Sequence, residues 1–336
     1  MVQQLLIQQS NKSLASTHPN LTAIFVGGTS GIGLYTLTSL AKYCPSPKIY
    51  IIGRSQAAAD NILSFLHDIN ANGKYLFLRA DVSLITEVDR ICQTIMEKEE
   101  HVNILFLSQG VMTMGEVSKE DLHVPASLIL HSRMRLILNL LPLLRTAPTL
   151  RRVVTVFAGT KAGPVFAPTD IEMRELKNPM KARGQAVCAL TMLLEEAKRR
   201  APEVGFVHSY PGFVKTGIGR GGGIVRSAVM AVVGGVLGPF LFVGSEECGE
   251  RHLFLATTGR FAGVHDRGLE VREDGEVAMG TDGVFGSGVY CTNEVCESGG
   301  DYTVKMLKKA RELDSGEWPW NLVRKDYVRI TGKECL

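Results

Sequence analysis

The feature that most constrains the fold is a glycine-rich loop between an apolar segment and a helical one. Residues 21–26 form a short apolar run, and the stretch 27–33 (Gly-Gly-Thr-Ser-Gly-Ile-Gly) follows at once. Glycine adopts positive φ without steric cost and lets another molecule approach the backbone. Residues 34–43 have a helical pattern, and a helix N-terminus offers free N–H groups and a positive dipole end. This segment therefore predicts a strand–loop–helix unit that holds a dinucleotide.

The same alternation of strand and helix continues along the chain. Apolar, strand-like runs occur at 48–52, 75–78, 102–107, 152–157 and 204–208, with helical segments at 57–70, 84–98, 122–144 and 181–200 between them. Near-continuous apolar strands separated by helices are typical of a parallel sheet covered on both faces. We predict an α/β fold, a doubly wound parallel sheet of the Rossmann type.

The pattern divides the chain into three parts. Residues 1–20 read as a helical N-terminal arm, and 21–217 as the Rossmann nucleotide-binding core. We expect 218–336 to form an enlarged substrate lid and a C-terminal extension that pack on the same domain. Within the extension we expect a small β-hairpin around 288–290 and a helix over 302–313.

Composition excludes some classes of function. The 37 basic and 34 acidic residues give a net charge of +3, which provides no reason to expect a nucleic-acid partner. The seven cysteines are scattered and include no Cys-x-x-Cys pair, and no histidine lies at metal-ligand spacing from two of them. We therefore expect reduced thiols, no metal site and a cytoplasmic protein. The first residues have neither a basic start nor a long apolar run, so we expect no signal peptide.

One uncharged apolar segment, 227–245, reaches the lower length limit for a membrane span. Gly234, Gly235, Gly238 and Pro239 interrupt it, which favours a broken or buried segment. Weak contact with a membrane surface stays open as an alternative.

The end of the second strand indicates which dinucleotide the loop holds. A site for NAD places a carboxylate there to bind the ribose 2′-hydroxyl. This chain has Gly53 and Arg54 instead, and no acidic residue before Asp60. A guanidinium suits a 2′-phosphate, and Ser30 and Ser55 offer further hydroxyl donors. We predict NADP(H) as the cofactor; the alternative is that Arg54 is a solvated loop residue.

Four motifs resemble the short-chain dehydrogenase/reductase family over residues 21–217. They are the glycine loop, with Val26 where the family has Thr, then Asp81-Val82, then 108–110 (Ser-Gln-Gly) in place of Asn-Ala-Gly, and 211–216 (Pro-Gly-Phe-Val-Lys-Thr). The resemblance implies that Asp81-Val82 lies against the adenine, that 108–110 lines the adenosine pocket, and that 211–216 receives the nicotinamide carboxamide. The residues assigned to the nucleotide are Gly27, Thr29, Ser30, Gly31, Ile32, Gly33, Arg54, Asp81, Val82, Ser108, Gln109, Gly110, Pro211, Gly212, Val214 and Thr216.

A narrower resemblance comes from the N-terminal arm, the helix with Ser132-Arg133-Met134-Arg135 and the long C-terminal region. Together they look like a branch of the family found in filamentous fungi, often in specialised metabolism. The enlarged apolar segment after Thr216 stands where the family carries its substrate lid. It favours a bulky apolar small-molecule substrate, although an apolar packing role is an equally plain interpretation.

The resemblance also implies an Asn-Ser-Tyr-Lys tetrad, from which this chain departs. Our alignment puts Ile129 at the Asn, Ala158 at the Ser, Met180 at the Tyr and Gly184 at the Lys. None of these side chains donates a proton or stabilises an oxyanion, so the family's usual mechanism lacks its acid. An acceptor that is already cationic, such as an iminium, needs no acid.

Other side chains are candidates to replace the tetrad. Arg133 lies one helical turn beyond Ile129 and is expected on the same side of the helix. Lys161 and Asp170 lie on the loop after the fifth strand, on the side where such a sheet builds its active site. His131 and His208 titrate near neutrality if unperturbed. For each of these residues, a structural or solvated role is the alternative.

Three functional hypotheses follow. The first is an NADP(H)-dependent oxidoreductase with a non-standard active site, and the second is a non-redox cyclase or isomerase on the same fold. The third is a catalytically silent protein that binds NADP(H). The sequence leaves the oligomeric state open.

Overall fold

The structure is a computed structural model and describes residues 2, 4–111, 115–214, 242–264 and 277–336. A seven-stranded sheet in the order β3-β2-β1-β4-β5-β6-β7 forms its centre, and every neighbouring pair of strands is parallel. The strands are β1 Thr22–Val26, β2 Lys48–Gly53, β3 Lys74–Arg79, β4 Ile104–Leu107, β5 Arg152–Val156, β6 Gly205–Ser209 and β7 Val289–Thr292.

Helices connect the strands and extend both ends of the chain. They are α1 Gln4–Thr17, α2 Gly31–Tyr43, α3 Gln56–Ile69, α4 Ile85–Met96, α5 Ser132–Thr146, α6 Pro179–Arg200, α7 Ser245–Thr257, α8 Asp301–Arg311 and α9 Trp318–Thr331. A short helical turn, Val124–Ala126, and a π-helical turn, Ser127–His131, lead into α5.

Alternate residues of each strand face opposite helical layers, as a doubly wound sheet requires. In β1, Ala23 and Phe25 belong to the apolar cluster formed with α1, α2, α3 and α7. Ile24 and Val26 belong to the cluster formed with α4, α5, α6 and α9. The prediction of a Rossmann-type α/β fold is confirmed.

The expected hairpin around 288–290 is wrong. Residues 289–292 form β7, which extends the sheet as a parallel neighbour of β6, with Phe206 opposite Val289. All four β7 residues are buried; Cys291 belongs to the apolar cluster that includes α8, and Tyr290, on the opposite face, packs against Phe261. A short apolar run does not reveal its partner strand, and the surrounding glycines suggested a tight turn.

The C-terminal extension contains a helix that the sequence analysis missed. Helix α9 has Pro319 in its first turn, where proline costs no hydrogen bond. Its anchor is the fully buried Arg135 of α5, which donates to both carboxylate oxygens of Asp89 on α4 at 2.7 and 2.6 Å. The same guanidinium donates to the Lys333 carbonyl at 3.0 Å and to Thr331 Oγ1 at 3.1 Å. One buried cation therefore holds α4, α5 and the end of α9 together.

The N-terminal helix α1 is held from the opposite layer. The buried Glu250 of α7 accepts hydrogen bonds from Gln4 at 2.8 Å and Gln8 at 3.1 Å, and from the Tyr43 hydroxyl at 2.7 Å. Asn11 donates to the Glu250 carbonyl at 3.0 Å. Neutral donors thus satisfy a buried carboxylate and attach the arm to α7 and α2.

Two apolar segments bear on membrane contact. By length and composition the stretch Val124–Thr146 is apolar enough to cross a membrane, but 89% of its most apolar 18-residue window is buried within the protein, where it packs against the sheet. It is a core helix. Of the uncharged segment 227–245, residues 227–241 lie outside the described chain. All seven cysteines are free thiols.

Replacing Asp89 with alanine should destabilise the fold by about 3 kcal/mol, because the buried Arg135 would lose its carboxylate partner. Urea denaturation of the variant measures the loss. The control is Glu87→Ala, which removes an ion pair to the exposed Arg90 and should cost under about 1 kcal/mol. Equal losses in the two variants would contradict the anchoring role of Arg135.

Candidate functional site

The site lies at the carboxyl ends of β1 and β4, where the strand order reverses direction. In open α/β sheets ligands bind in the crevice at this switch point. The glycine loop follows β1 and residues 108–110 follow β4, so the two segments lie side by side. Ser108 donates from its backbone N–H and its hydroxyl to the Val26 carbonyl, at 2.9 and 3.1 Å. These bonds fix one segment against the other.

Two glycines of the loop have no room for a side chain. A Cβ at Gly27, whose φ is +81°, would lie 2.8 Å from the backbone nitrogen of Gln109. A Cβ at Gly33 would lie 2.5 Å from both the Gly27 carbonyl oxygen and Ser108 Oγ. The loop therefore turns tightly over the start of α2 and presents backbone rather than side chains.

The N-terminus of α2 is open to a ligand. Ser30 is the N-cap residue and is exposed, and its hydroxyl does not cap the helix. The first-turn amides of Gly31, Ile32 and Gly33 have no intrahelical acceptor, so they are available to an anion. Thr29 packs against Gly53 at the end of β2, where a Cβ would lie 2.7 Å from Thr29 Cγ2.

Arg54 follows β2 and is exposed, and it forms no ion pair with any residue that the structure describes. Its guanidinium is therefore available to a ligand. The sequence analysis missed a second cation at this edge, Arg79, which the β2–β3 register places beside Gly53. Only the pairing of the strands identifies Arg79. Ser55 accepts a hydrogen bond from the Ala58 amide at 3.3 Å and so caps α3.

The segments after β3 and β4 line the other side of the crevice. Asp81 accepts hydrogen bonds from the amide and hydroxyl of Ser83 at 3.1 and 2.8 Å, which fixes its turn. Val82 is buried. Gln109 is buried, and its Oε1 atom has no hydrogen-bond partner within the described chain. Gly110 follows it and is half-buried.

The segment after β6 closes the far end of the crevice. Pro211, Gly212 and Val214 are half-buried there, and Gly212 has φ of +72°. Val214 pairs with Val243, so these two residues lie side by side at this edge. Thr216, also assigned to the nucleotide, lies outside the described residues.

Arg133, the first catalytic candidate, is 1% exposed and uses its donors on the protein. It donates to the Gln109 carbonyl at 2.7 Å, to the Leu128 carbonyl at 3.3 Å and to the Thr155 hydroxyl. Burial lowers the pKa of its guanidinium to about 9, so it stays protonated at neutral pH. These contacts describe a residue that positions the loop after β4.

His208 is buried between β6 and α6 and is neutral. Its Nδ1 atom lies 3.0 Å from the Thr191 hydroxyl, and its Nε2 atom lies 3.4 Å from the Ala158 amide. Burial, together with the positive charge of Arg133, lowers the pKa of His208 to about 3. A neutral ring therefore supports the end of β5. His131 points away from the crevice and lies 3.0 Å from Asp326 on α9.

The backbone at Gly184 is in close contact with the loop after β5. The Gly163 amide donates to the Gly184 carbonyl at 3.3 Å, and a Cβ at 184 would lie 3.0 Å from Gly163 Cα. A lysine at this position would press directly on that loop. Met180, in the first turn of α6, is 63% exposed, whereas Ala158 is buried. Ile129 lies within the π-helical turn.

Lys161 and Asp170, the other catalytic candidates, have different surroundings. The Lys161 Nζ atom lies 4.3 Å from the ring centroid of Tyr210, which follows β6. Asp170 accepts from the Arg174 and Glu175 amides at 3.0 and 2.9 Å and so holds its own turn. The structure thus places Lys161 in contact with a tyrosine that the sequence analysis missed. Tyr210 directly precedes the Pro-Gly motif.

Three large apolar side chains, Phe166, Met180 and Phe213, are exposed at the same edge of the sheet, by 48, 63 and 64%. Phe166 follows β5, Met180 begins α6 and Phe213 follows β6, so all three surround the carboxyl ends of these strands. We call them the apolar rim. Across the described residues, no three His, Cys, Asp or Glu side chains cluster as metal ligands do.

Comparisons with known proteins agree with this geometry. A sequence profile of the short chain dehydrogenases matches residues 21–157. Oxidoreductase AN1596 of Emericella nidulans is 36% identical over 331 residues, which cover 96% of each chain. Short-chain dehydrogenase/reductase SAT2 of Stachybotrys chartarum is 26% identical over 90% of each chain.

Two solved structures share the fold at low sequence identity. The RhlG/NADP complex of Pseudomonas aeruginosa has a TM-score of 0.53 at 20% identity, covering 72% of this chain and 91% of that one. A short-chain dehydrogenase from Sphingobium yanoikuyae in complex with NADPH has a TM-score of 0.50 at 16% identity, covering 69 and 82%.

Replacing Gly33 with alanine should weaken dinucleotide binding by at least about 10-fold and destabilise the fold by about 2 kcal/mol, because the added Cβ meets the Gly27 carbonyl. Fluorescence titration with NADPH and urea denaturation measure the two effects. Gly300→Ala is the matched control, since a Cβ at Gly300 meets no atom within 4 Å. Unchanged binding in the Gly33 variant would exclude the loop as the dinucleotide site.

Acidification should destabilise the protein. Burial lowers the pKa of His208 to about 3 and that of His252 to about 4, whereas both rise to about 6.5 on unfolding. Below pH 6.5 the unfolded chain therefore binds more protons than the folded protein. The free energy of unfolding decreases as the pH is lowered. We expect a loss of about 3 kcal/mol from pH 6.5 to about pH 5 from these two residues.

Urea denaturation across this pH range tests the effect. His208→Gln should remove about half of the loss, while His67→Gln, at an exposed position, should leave it unchanged. If the stability of the His208 variant falls as steeply as that of the natural chain, the imidazole of His208 is not buried in its neutral form.

Proposed function

The chain belongs to the short-chain dehydrogenase family, and from this premise we propose that it is an NADP(H)-dependent oxidoreductase with a non-standard active site. Its substrate is a bulky apolar small molecule of specialised metabolism. The observation that carries the proposal is the glycine loop, which exposes the backbone at the open N-terminus of α2 while Ser108 holds it against β4. The cofactor, when bound, supplies or accepts a hydride.

The residues present fit a dinucleotide. Side chains are excluded at Gly27 and Gly33, so the pyrophosphate can approach the backbone and the first-turn amides. The partnerless Oε1 atom of buried Gln109 gives the nucleotide a polar contact on the β4 side. Asp81 and Val82 would hold the adenine end, and Pro211, Gly212 and Val214 the nicotinamide end.

The choice of NADP(H) rests on the cations at the end of β2. Arg54 is exposed and has no ion-pair partner among the residues described, and Arg79 lies on the neighbouring strand. A guanidinium binds phosphate oxygens bidentately, whereas an NAD site would place a carboxylate here. The presence of NADP or NADPH in the two solved relatives supports the same choice.

The apolar rim supports the substrate class. Exposed Phe166, Met180 and Phe213 surround the end of the crevice where the substrate would meet the nicotinamide, and apolar side chains there remove an apolar ligand from water. The fungal relatives carry the names of an oxidoreductase and of a short-chain dehydrogenase/reductase, which agrees with the proposed activity. We propose a cytoplasmic location, consistent with seven free thiols.

Each of the four polar side chains near the site has a different proposed role. Arg133 holds the Gln109 carbonyl and so positions the loop beside the nucleotide. His208 is neutral and supports the backbone at Ala158. Lys161 lies over the ring of Tyr210 near the substrate end. Asp170 orders the loop that carries Phe166, because it fixes the turn that follows.

One alternative is a non-redox cyclase or isomerase, which the loss of all four tetrad groups beside an intact glycine loop motivates; Gly184, at the aligned lysine position, is in close contact with Gly163. Deuteride transfer from labelled NADPH to an organic product would support the oxidoreductase. Turnover without consumption of cofactor would support the isomerase, and binding without turnover a silent protein. Deletion of the gene followed by metabolite profiling supplies the substrate, since the accumulated intermediate identifies it.

Replacing Arg54 with alanine should lower the affinity for NADPH by about 10- to 100-fold and leave the affinity for NADH unchanged, because the guanidinium contacts only the 2′-phosphate. Fluorescence titration with both nucleotides measures the difference. The control is Lys74→Ala, which removes an exposed cation at the amino end of β3, the opposite edge of the sheet. A proportional loss for both nucleotides would contradict the assignment of Arg54.

A further inference from the structure

We propose that the Tyr210 hydroxyl donates the proton that the substrate oxygen receives, and that Lys161 positions and polarises Tyr210 for this step. The inference rests on the proposed function, and it identifies the proton donor that the non-standard active site requires. The family resemblance expects a tyrosine on α6, where this chain has the exposed Met180. Tyr210 reaches the site from a different element, the end of β6.

Tyr210 lies at the substrate end of the crevice. Its amide donates to the Thr292 carbonyl at 2.8 Å, which fixes it at the carboxyl edge of the sheet, and the next residue is Pro211. Its ring packs against the apolar cluster that contains Ala158, Ala162 and Cys188. The ring therefore lies on the face of the sheet that α6 and α8 cover, the face that also carries Ala158 at the end of β5.

The alternation of side chains along β6 confirms which layer Tyr210 faces. His208 points toward α6 and contacts Thr191, whereas the Ser209 hydroxyl points to the opposite layer and lies 3.4 Å from His252 Nε2. Successive side chains alternate in an extended strand, so Tyr210 returns to the face of His208. That face carries Ala158, where the family resemblance expects a serine.

The charges around Tyr210 come from three elements. Lys161, after β5, lies over the ring at 4.3 Å, Arg183 lies on α6, and Glu294 follows β7 and approaches Gly212. Burial and the Glu294 carboxylate raise the pKa of Tyr210, while Arg183 lowers it. The hydroxyl is therefore protonated at neutral pH, as a proton donor must be.

The two cations are available to stabilise the phenolate that remains after the transfer. Neither Lys161 nor Arg183 forms an ion pair with a carboxylate in the described part of the chain, and the Arg183 Nε atom is buried without a hydrogen-bond partner. An ammonium over an aromatic face favours the more electron-rich ring, so Lys161 makes the phenol more acidic than it would be alone.

The proton balance is complete with a carbonyl substrate. The reduced nucleotide, held by the glycine loop, would supply a hydride to the carbonyl carbon and would itself be oxidised. The π electrons of the C=O bond move to the oxygen, which takes the Tyr210 proton, so that one C–H and one O–H bond form. Tyr210 is half-buried, so its phenolate regains a proton from water. Oxidation of an alcohol follows the same path in reverse.

A spectroscopic titration tests the position of Tyr210 without turnover. The near-ultraviolet absorbance of phenolate, recorded rapidly after pH jumps as the difference between the natural chain and Tyr210→Phe, isolates this residue. The nicotinamide is cationic in NADP⁺ and neutral in NADPH, so the Tyr210 phenolate should form at lower pH in the NADP⁺ complex. Lys161→Met should shift its formation to higher pH in both complexes, and Lys177→Met, at an exposed position, should not.

Turnover supplies the second test, with phenanthrenequinone as a bulky apolar dicarbonyl probe. Tyr210→Phe should lower kcat by at least about 100-fold, the usual contribution of a general acid, and leave the Kd for NADPH unchanged. Tyr302→Phe, which removes the hydroxyl of an exposed tyrosine on α8, is the matched control and should change neither.

The outcomes separate this inference from the proposed function. A natural chain that binds no NADPH refutes the proposed function. A chain that binds NADPH, but whose Tyr210 titrates at the same pH in both nucleotide complexes, overturns the assignment of Tyr210 alone. If phenanthrenequinone is not reduced, the titration of Tyr210 in the two nucleotide complexes alone supports or overturns the assignment of Tyr210.

Discussion

The arrangement of the site depends on the close contact between the loop after β1 and the segment after β4. Ser108 binds the Val26 carbonyl through its amide and hydroxyl, and a Cβ at Gly27 or Gly33 would collide with that segment or with the loop itself. The backbone is therefore the surface that α2 and β1 present at the switch point. Arg133 fixes the same segment further, because its guanidinium donates a hydrogen bond to the carbonyl of the next residue, Gln109.

The charges of the site bear on the proposed chemistry. Buried Arg133 stays protonated, and Lys161 and Arg183 have no carboxylate partner in the part of the chain described. Under the proposed function, Lys161 and Arg183 would repel a cationic acceptor such as an iminium and would stabilise the negative charge that a carbonyl oxygen gains as it is reduced, while Glu294 opposes them.

Each end of the chain is attached to one helical layer through a buried polar group. Glu250 of α7 holds α1 through neutral donors, and Arg135 of α5 holds the end of α9 while its charge is balanced by Asp89. Both groups lie away from the crevice, so the extensions stabilise the layers that position it. A buried polar group is costly without its partners, which makes each attachment specific.

The sequence by itself determined the fold class and the nucleotide loop, because hydrophobic alternation and glycine conformation are local properties that persist in any packing. It also identified Arg54 and Lys161, but neither Arg79 nor Tyr210, nor that 289–292 forms a parallel strand. Those features depend on which strands become neighbours and which way a side chain points. Only the tertiary structure decided them, since β6, β7 and α6 are distant in the chain and bring Lys161, Arg183 and Tyr210 together only when packed.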